Sequence, residues 1–147
     1  MENLIIEKMN LNDFEQIKNN LQTDFDEFWN ANILESELKN SNSLYFVAKN
    51  EKEILGFVGI INNIDFVEIS NIVVRKDFRN KGIGKKLLEK IIEIAKEMKK
   101  EKILLEVNEK NEKAIHLYEK NDFKKDGIRK NYYNGKEAAI LMSLKIL

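Results

Sequence analysis

Eight residues near the middle of the chain, Arg79-Asn80-Lys81-Gly82-Ile83-Gly84-Lys85-Lys86, set two closely spaced glycines among four basic side chains. Glycine lets backbone N–H groups turn toward one point with no Cβ in the way. An apolar pattern of helical spacing begins at Ile83, so the free N–H groups and positive dipole end of a helix would join that corner. The chemistry this suits is anion binding, above all of a pyrophosphate. Two other phosphate loops are excluded. The nucleoside-triphosphate loop needs G-x-x-x-x-G-K-[ST], but Gly82 and Gly84 are too close together and Lys85 is followed by Lys86. The dinucleotide fingerprint needs a third glycine where this chain has Leu87. The plainer alternative is that the glycines only make a tight strand-to-helix turn.

Two further residues have types suited to proton transfer. Glu106 interrupts the apolar run Lys102-Ile103-Leu104-Leu105-Glu106-Val107 and shares a face with Leu104 by alternation. An ionisable group there calls for a partner or a function, unless it is a strand-end residue facing water. Tyr118 falls on the apolar side of a helical pattern. Its phenol, with an ordinary pKa of about 10, stays protonated at neutral pH and can donate; the alternative is a core tyrosine. His116 is the only histidine and there is no cysteine, so no metal site is expected.

The elements that must position these residues follow from periodicity. A first strand is predicted over 4–9. Phe14, Ile17 and Leu21 recur at helical spacing from Asn12 to Leu21, and Trp29, Ile33, Leu34 and Leu38 predict a second helix to about Asn40. Runs at 43–50, 53–61 and 65–74 predict three strands in an antiparallel meander, with turns at 51–52 and 62–63. Ile83, Leu87, Leu88, Ile91, Ile92, Ala95 and Met98 trace one face of a long helix. A strand at 102–107 follows, then a helix capped by Asn111 and carrying Ala114, Ile115, Leu117 and Tyr118. Strands at 123–128 and 138–144 close the chain, joined through Asn134-Gly135. The order predicts an α+β, or mixed α/β, domain around a mostly antiparallel sheet.

The length of 147 residues fits one domain spanning 1–147 with a real core. Twenty-five basic and 25 acidic residues balance, which argues against a dedicated nucleic-acid binder. The Lys/Glu run at 96–102 reads as a solvated helix end. No apolar run approaches the ~18 residues of a membrane span, and the first ten residues do not read as a signal peptide. A cytoplasmic protein with no membrane contact is expected.

With these elements in place, the segment NIVVRKDFRNKGIGKKLLEKIIEIAKE resembles the central motif of the GCN5-related N-acetyltransferases, the GNAT superfamily. Their pattern is an apolar strand, a short linker, Q/R-x-x-G-x-G/A and an amphipathic helix. LLEVNEKNEKAIHLYEKNDF resembles their next motif, in which Asn-x-x-A-x-x-x-Y precedes Gly-Phe. Within the superfamily, the latter segment with IRKNYY and EAAILMSL is similar to the ribosomal-protein alanine N-acetyltransferases of the RimI type. The resemblance covers residues 43–145 well and the first 40 weakly. Two positions depart from the pattern: Asp122 stands for the usual glycine and Asn134 for the usual proline. The first concerns a turn; the second falls near the expected peptide groove.

The resemblance implies a GNAT-like sheet of about seven strands flanked by about four helices. It also implies acetyl-CoA as donor, with no metal. The pyrophosphate would meet backbone N–H groups of Asn80, Lys81, Gly82, Ile83, Gly84 and Lys85, with Arg79 beside them. Ile72, Val73 and Val74 would pair by their backbone with the pantetheine arm, and Asn111 would contact that arm. Glu106 would be the general base, acting through water, and Tyr118 the general acid. Tyr132 and Tyr133 would line the acceptor groove, with ordinary strand packing as the alternative. Trp29, between the first two helices, reads as core. The acceptor implied is a protein N-terminal α-amine, that of alanine on a small-subunit ribosomal protein, and the protein a monomer or weak dimer. A small-molecule amine or a lysine is the alternative acceptor, and a non-catalytic acyl-CoA-binding regulator the alternative of a different class.

Overall fold

A computed structural model describes residues 4–25, 30–133 and 135–147, with the side chains of 131–133 outside that description. The elements run β1 (Ile5–Lys8), α1 (Leu11–Ile17), a π-helical turn (Leu21–Phe25), α2 (Ala31–Lys39), β2 (Ser43–Lys49), β3 (Ile54–Asn62) and β4 (Phe66–Val74). After a 3₁₀ turn at Lys76–Phe78 come α3 (Ile83–Glu97), β5 (Lys102–Asn108), α4 (Glu112–Lys120), β6 (Lys124–Tyr133) and β7 (Glu137–Lys145). The seven strands form one sheet in the order β1-β2-β3-β4-β5-β7-β6. Every neighbouring pair is antiparallel except β4 and β5, which are parallel and joined through α3. The sheet is therefore mostly antiparallel and the fold α+β, as expected.

Helices cover both faces. On one, Leu87, Leu88, Ile91 and Ala95 of α3 pack with Tyr118 of α4 on Val58, Ile69, Ile103 and Leu105. On the other, Phe14, Ile17, Leu21, Phe25 and Leu34 pack on Tyr45, Val47, Phe57 and Val73. This is why β3 is buried at every position from Ile54 to Ile60 and reads as an unbroken apolar run.

The predicted helix over 12–21 is a correction. Helix α1 begins earlier, with Asn10 and Asp13 in a reciprocal capping box, and ends at Ile17. Ile17, Leu21 and Phe25 stay buried through the turns that follow, so four-residue spacing continues where the helix does not. Asn19 and Asn20 sit at the break, where their side chains compete with helical backbone bonding. Strand β6 also differs, running to Tyr133 rather than stopping at 128. It lies at the sheet edge with exposed Lys124, Lys125, Arg129 and Lys130, so no apolar alternation marks it. Trp29 lies outside the described residues.

Candidate active site

The site begins where two strands part. β4 and β5 pair only from Phe66–Lys102 to Ile69–Leu105. Beyond that, Asn71–Val74 remain paired with β3, while Glu106–Asn108 remain paired with β7. The divergence starts at a register shift opposite Gly59 and Ile60, a bulge that bends β4 away. Arg75 N–H donates to Leu55 O at 2.7 Å. Antiparallel alternation then turns the backbone of Val73 toward β3 and that of Ile72 and Val74 toward the gap. One observation fits this directly: Val74 O accepts from Arg79 Nε at 3.1 Å.

The glycine loop closes the end of this gap. Asn80 and Gly82 both take the left-handed conformation, with φ of 64° and 84°. Gly82 is the N-cap of α3 and offers no side chain to its first turn. Lys86 N–H makes the first helical bond, to Gly82 O, so Ile83, Gly84 and Lys85 have N–H groups with no partner within the helix. A Cβ at Gly84 would come 3.6 Å from Leu117 and 3.9 Å from Val74, so glycine leaves the mouth of the gap open.

A cleft of about 440 Å³ joins these parts. It is lined by Ile72, Val73, Val74, Arg79, Asn80, Gly82, Ile83, Gly84, Lys85, Asn111 and Tyr118, all singled out in the sequence. Phe78, Lys113, Ala114 and Leu117 line it too and were missed. Ala114 and Leu117 follow Asn111 at helical spacing, a signal that could have found them. Lys113 carried none. Asn111 caps α4, its Oδ1 accepting from Ala114 N–H at 3.2 Å.

The expected cations are not equivalent. Arg79 is tied down, its Nη2 donating to Phe25 O at 2.5 Å besides the bond to Val74. Lys81 does not line the cleft; its Nζ lies 4.9 Å above the Phe78 ring. Lys85 lines the cleft.

Tyr118 is buried, 6% exposed, against Phe123 at a ring distance of 5.6 Å. Burial pushes its phenol up to about 12, because the phenolate would lose its hydration. It reaches the cleft from the face of the sheet that carries α3 and α4. Glu106 does not line that cleft. Ile103, Leu105 and Val107 point toward α3 and α4, so Glu106 projects from the opposite face of β5. There its Oε1 pairs with Arg129 Nη2 at 3.3 Å. Tyr132 and Tyr133 belong to β6, and their side chains lie outside the described residues. Among the described residues no helix is long and apolar enough to cross a membrane.

A split between parallel strands, closed by a helix N-terminus whose N–H groups receive no side-chain cap, has a shape and polarity suited to an elongated anionic ligand. Residues 12–123 match the model of the Acetyltransferase (GNAT) family, and the chain belongs to that family and is an N-acetyltransferase. It is 30% identical over 139 residues, 92% of each chain, to a Bacillus subtilis protein named as a candidate [ribosomal protein bS18]-alanine N-acetyltransferase. Over 86 residues it is 38% identical to the Escherichia coli [ribosomal protein bS18]-alanine N-acetyltransferase, 56% of this chain and 58% of that one. The crystal structure of the Escherichia coli ribosomal-protein-S18-alanine N-acetyltransferase superimposes with a TM-score of 0.87 at 28% identity, covering 97% of this chain and 94% of that one. An Elizabethkingia anophelis GNAT family acetyltransferase, solved with acetyl-CoA bound, shares the fold at a TM-score of 0.78 and 24% identity, covering 99% of each chain.

Proposed function

We propose that the protein transfers the acetyl group of acetyl-CoA to a protein N-terminal α-amine, that of alanine on a small-subunit ribosomal protein, in the cytoplasm. The observation that carries the reading is the position of Glu106 and Tyr118 on opposite faces of the sheet, at the same gap between β4 and β5. Donor and acceptor can then approach from different sides and meet only at the reacting atoms.

On the donor side, N–H groups of the loop and of the first turn of α3 hold the pyrophosphate. The gap-facing backbone of Ile72 and Val74 pairs with the amide-bearing pantetheine arm, as an added strand pairs with a sheet edge. Asn111 meets the same arm while capping α4. On the acceptor side, Glu106 takes a proton from the ammonium group through water. The freed amine nitrogen bonds to the thioester carbon, the C–S bond breaks, and Tyr118 gives its proton to the departing thiolate. A phenol raised to about 12 is fully protonated at neutral pH, as that role requires. The family resemblance assigns acceptor binding to Tyr132 and Tyr133.

An α-amine suits a single carboxylate base. Its pKa lies near 8, against about 10.4 for lysine, so lysine costs about 3.3 kcal/mol more to deprotonate at neutral pH. The relatives named for alanine acetylation support the same acceptor.

The test is a basic peptide with a free N-terminal alanine and an internal lysine, incubated with the protein and acetyl-CoA and mapped by mass spectrometry. Acetyl on the alanine nitrogen supports the reading. Acetyl on lysine alone, or on neither, overturns the acceptor.

A further inference from the structure

Besides Arg79, two lysines line the cleft, and only Lys85 belongs to the glycine loop. Lys85 comes from the first turn of α3, and Lys113 from the first turn of α4. Lys113 Nζ donates to Asn80 Oδ1 at 3.2 Å, across from α4 to the loop. Among the described residues no carboxylate pairs with either lysine. Local helix physics does not account for Lys113. A cation in the first turn opposes the positive end of the helix dipole, where acidic residues are favoured. The Asn80 amide oxygen carries no net charge, so this contact leaves the charge of the ammonium group unneutralised, and Asn80 holds its own backbone in the left-handed region. Two lysines facing one space repel each other until an anion enters between them.

Resting on the donor reading above, we propose that Lys113 is a donor-recognition residue: it leaves Asn80 to bind a pyrophosphate oxygen of the donor from the α4 side, opposite the loop N–H groups. The loop then grips the diphosphate through its backbone, and Lys113 closes the other side with charge. Sequence spacing gave this residue no role, because α4 meets the loop only through the packing of α3 and α4 on the sheet.

The test compares the full chain with Lys113→Gln and Lys113→Arg by calorimetric titration of CoA and of 3′-dephospho-CoA, which keeps the pyrophosphate but lacks the 3′-phosphate. The expected result is that Lys113→Gln weakens both ligands equally, by about tenfold, as loss of a charge-assisted bond should. Lys113→Arg should restore most of the affinity. Lys113 is exposed, so thermal melting should show all three proteins equally folded. Unchanged affinity in Lys113→Gln would reduce the Asn80 contact to a surface tie and overturn the proposal. A loss confined to CoA would also overturn it, by assigning Lys113 to the 3′-phosphate. A wild-type protein that binds neither ligand would instead remove the donor reading on which the proposal rests.

Discussion

Arg129 reaches over β7 to place its guanidinium 3.3 Å from the carboxylate of Glu106. The register permits this. Glu106 pairs with Leu141, which pairs with Gly127, while Arg129 pairs with Ala139 two residues further along β6. All of these positions share a face, and the small side chain of Ala139 leaves room for the long arginine. The charge paired with the proposed base therefore comes from the last hairpin of the chain.

Glu106→Gln should lower kcat by about 100-fold, the low end of what a positioned base contributes, with CoA affinity unchanged. Arg129→Gln should act more mildly, since it loosens the carboxylate without removing it. With Arg129 half exposed, the pair contributes less than about 1 kcal/mol to folding, so thermal melting should barely move. Steady-state kinetics and melting curves check both. Full turnover by Glu106→Gln would end the proposed base role.

Tyr118→Phe should lower kcat by about 100-fold and leave donor binding intact. In the wild type, the phenol should add no alkaline limb to the kcat profile below about pH 11, because burial raises it to about 12. A limb near pH 10 that disappears in Tyr118→Phe would contradict this.

Burial of that phenol also links stability to pH. In the unfolded chain a tyrosine ionises near 10.0, whereas folded Tyr118 does so at about 12. Between these values the unfolded state has released a proton that the folded state retains, so stability falls as pH rises through the window. Below pH 10 the stability is fully present. Tyr45 is raised as well, first by burial and then by the nearby Glu37 carboxylate, and adds to the same fall. Urea melts from pH 8 to 11.5 should show the decline, less steeply in Tyr118→Phe.

Three residues at turns and caps should respond in different ways. Gly82→Ala should cost about 1–2 kcal/mol, because φ of 84° is left-handed and disfavours a Cβ. Gly84→Ala should not destabilise, since alanine favours helix over glycine by up to about 1 kcal/mol and its Cβ makes only ordinary contacts. It should instead raise the KM for acetyl-CoA, because that Cβ stands at the mouth of the gap. Asp122→Gly should raise the melting temperature slightly, as Asp122 holds φ of 71° where the family's glycine usually stands. Melting and kinetics on the three variants separate backbone strain from obstruction.

Much of the donor side was legible because it is local. Gly82, Gly84 and the helix that begins at Ile83 are contiguous, and the geometry that suits an anion is made by neighbouring peptide groups. Asn111 and Tyr118 took their site roles from the family resemblance, since alone the first reads as the cap of α4 and the second as a core residue. The antiparallel meander followed from apolar runs separated by polar turns at 51–52 and 62–63. Edge strand β6 was legible only as far as residue 128, because exposed Arg129 and Lys130 continue no apolar alternation on which sequence reading depends.

By itself, then, the chain determined its elements, its phosphate-suited corner and the residues with acid–base character, since these depend on the chemistry of near neighbours. Only the tertiary structure decided how they meet. A bulge in β4 opens the gap, the period-two geometry of β5 sends Glu106 to the face away from Tyr118, and strand order brings Arg129 to Glu106 from 23 residues away. Packing of α3 and α4 on one sheet face brings Lys113 to Asn80 across 33 residues. Such contacts depend on register and packing between distant segments, where a shift of one residue would turn a strand's side chains to the other face.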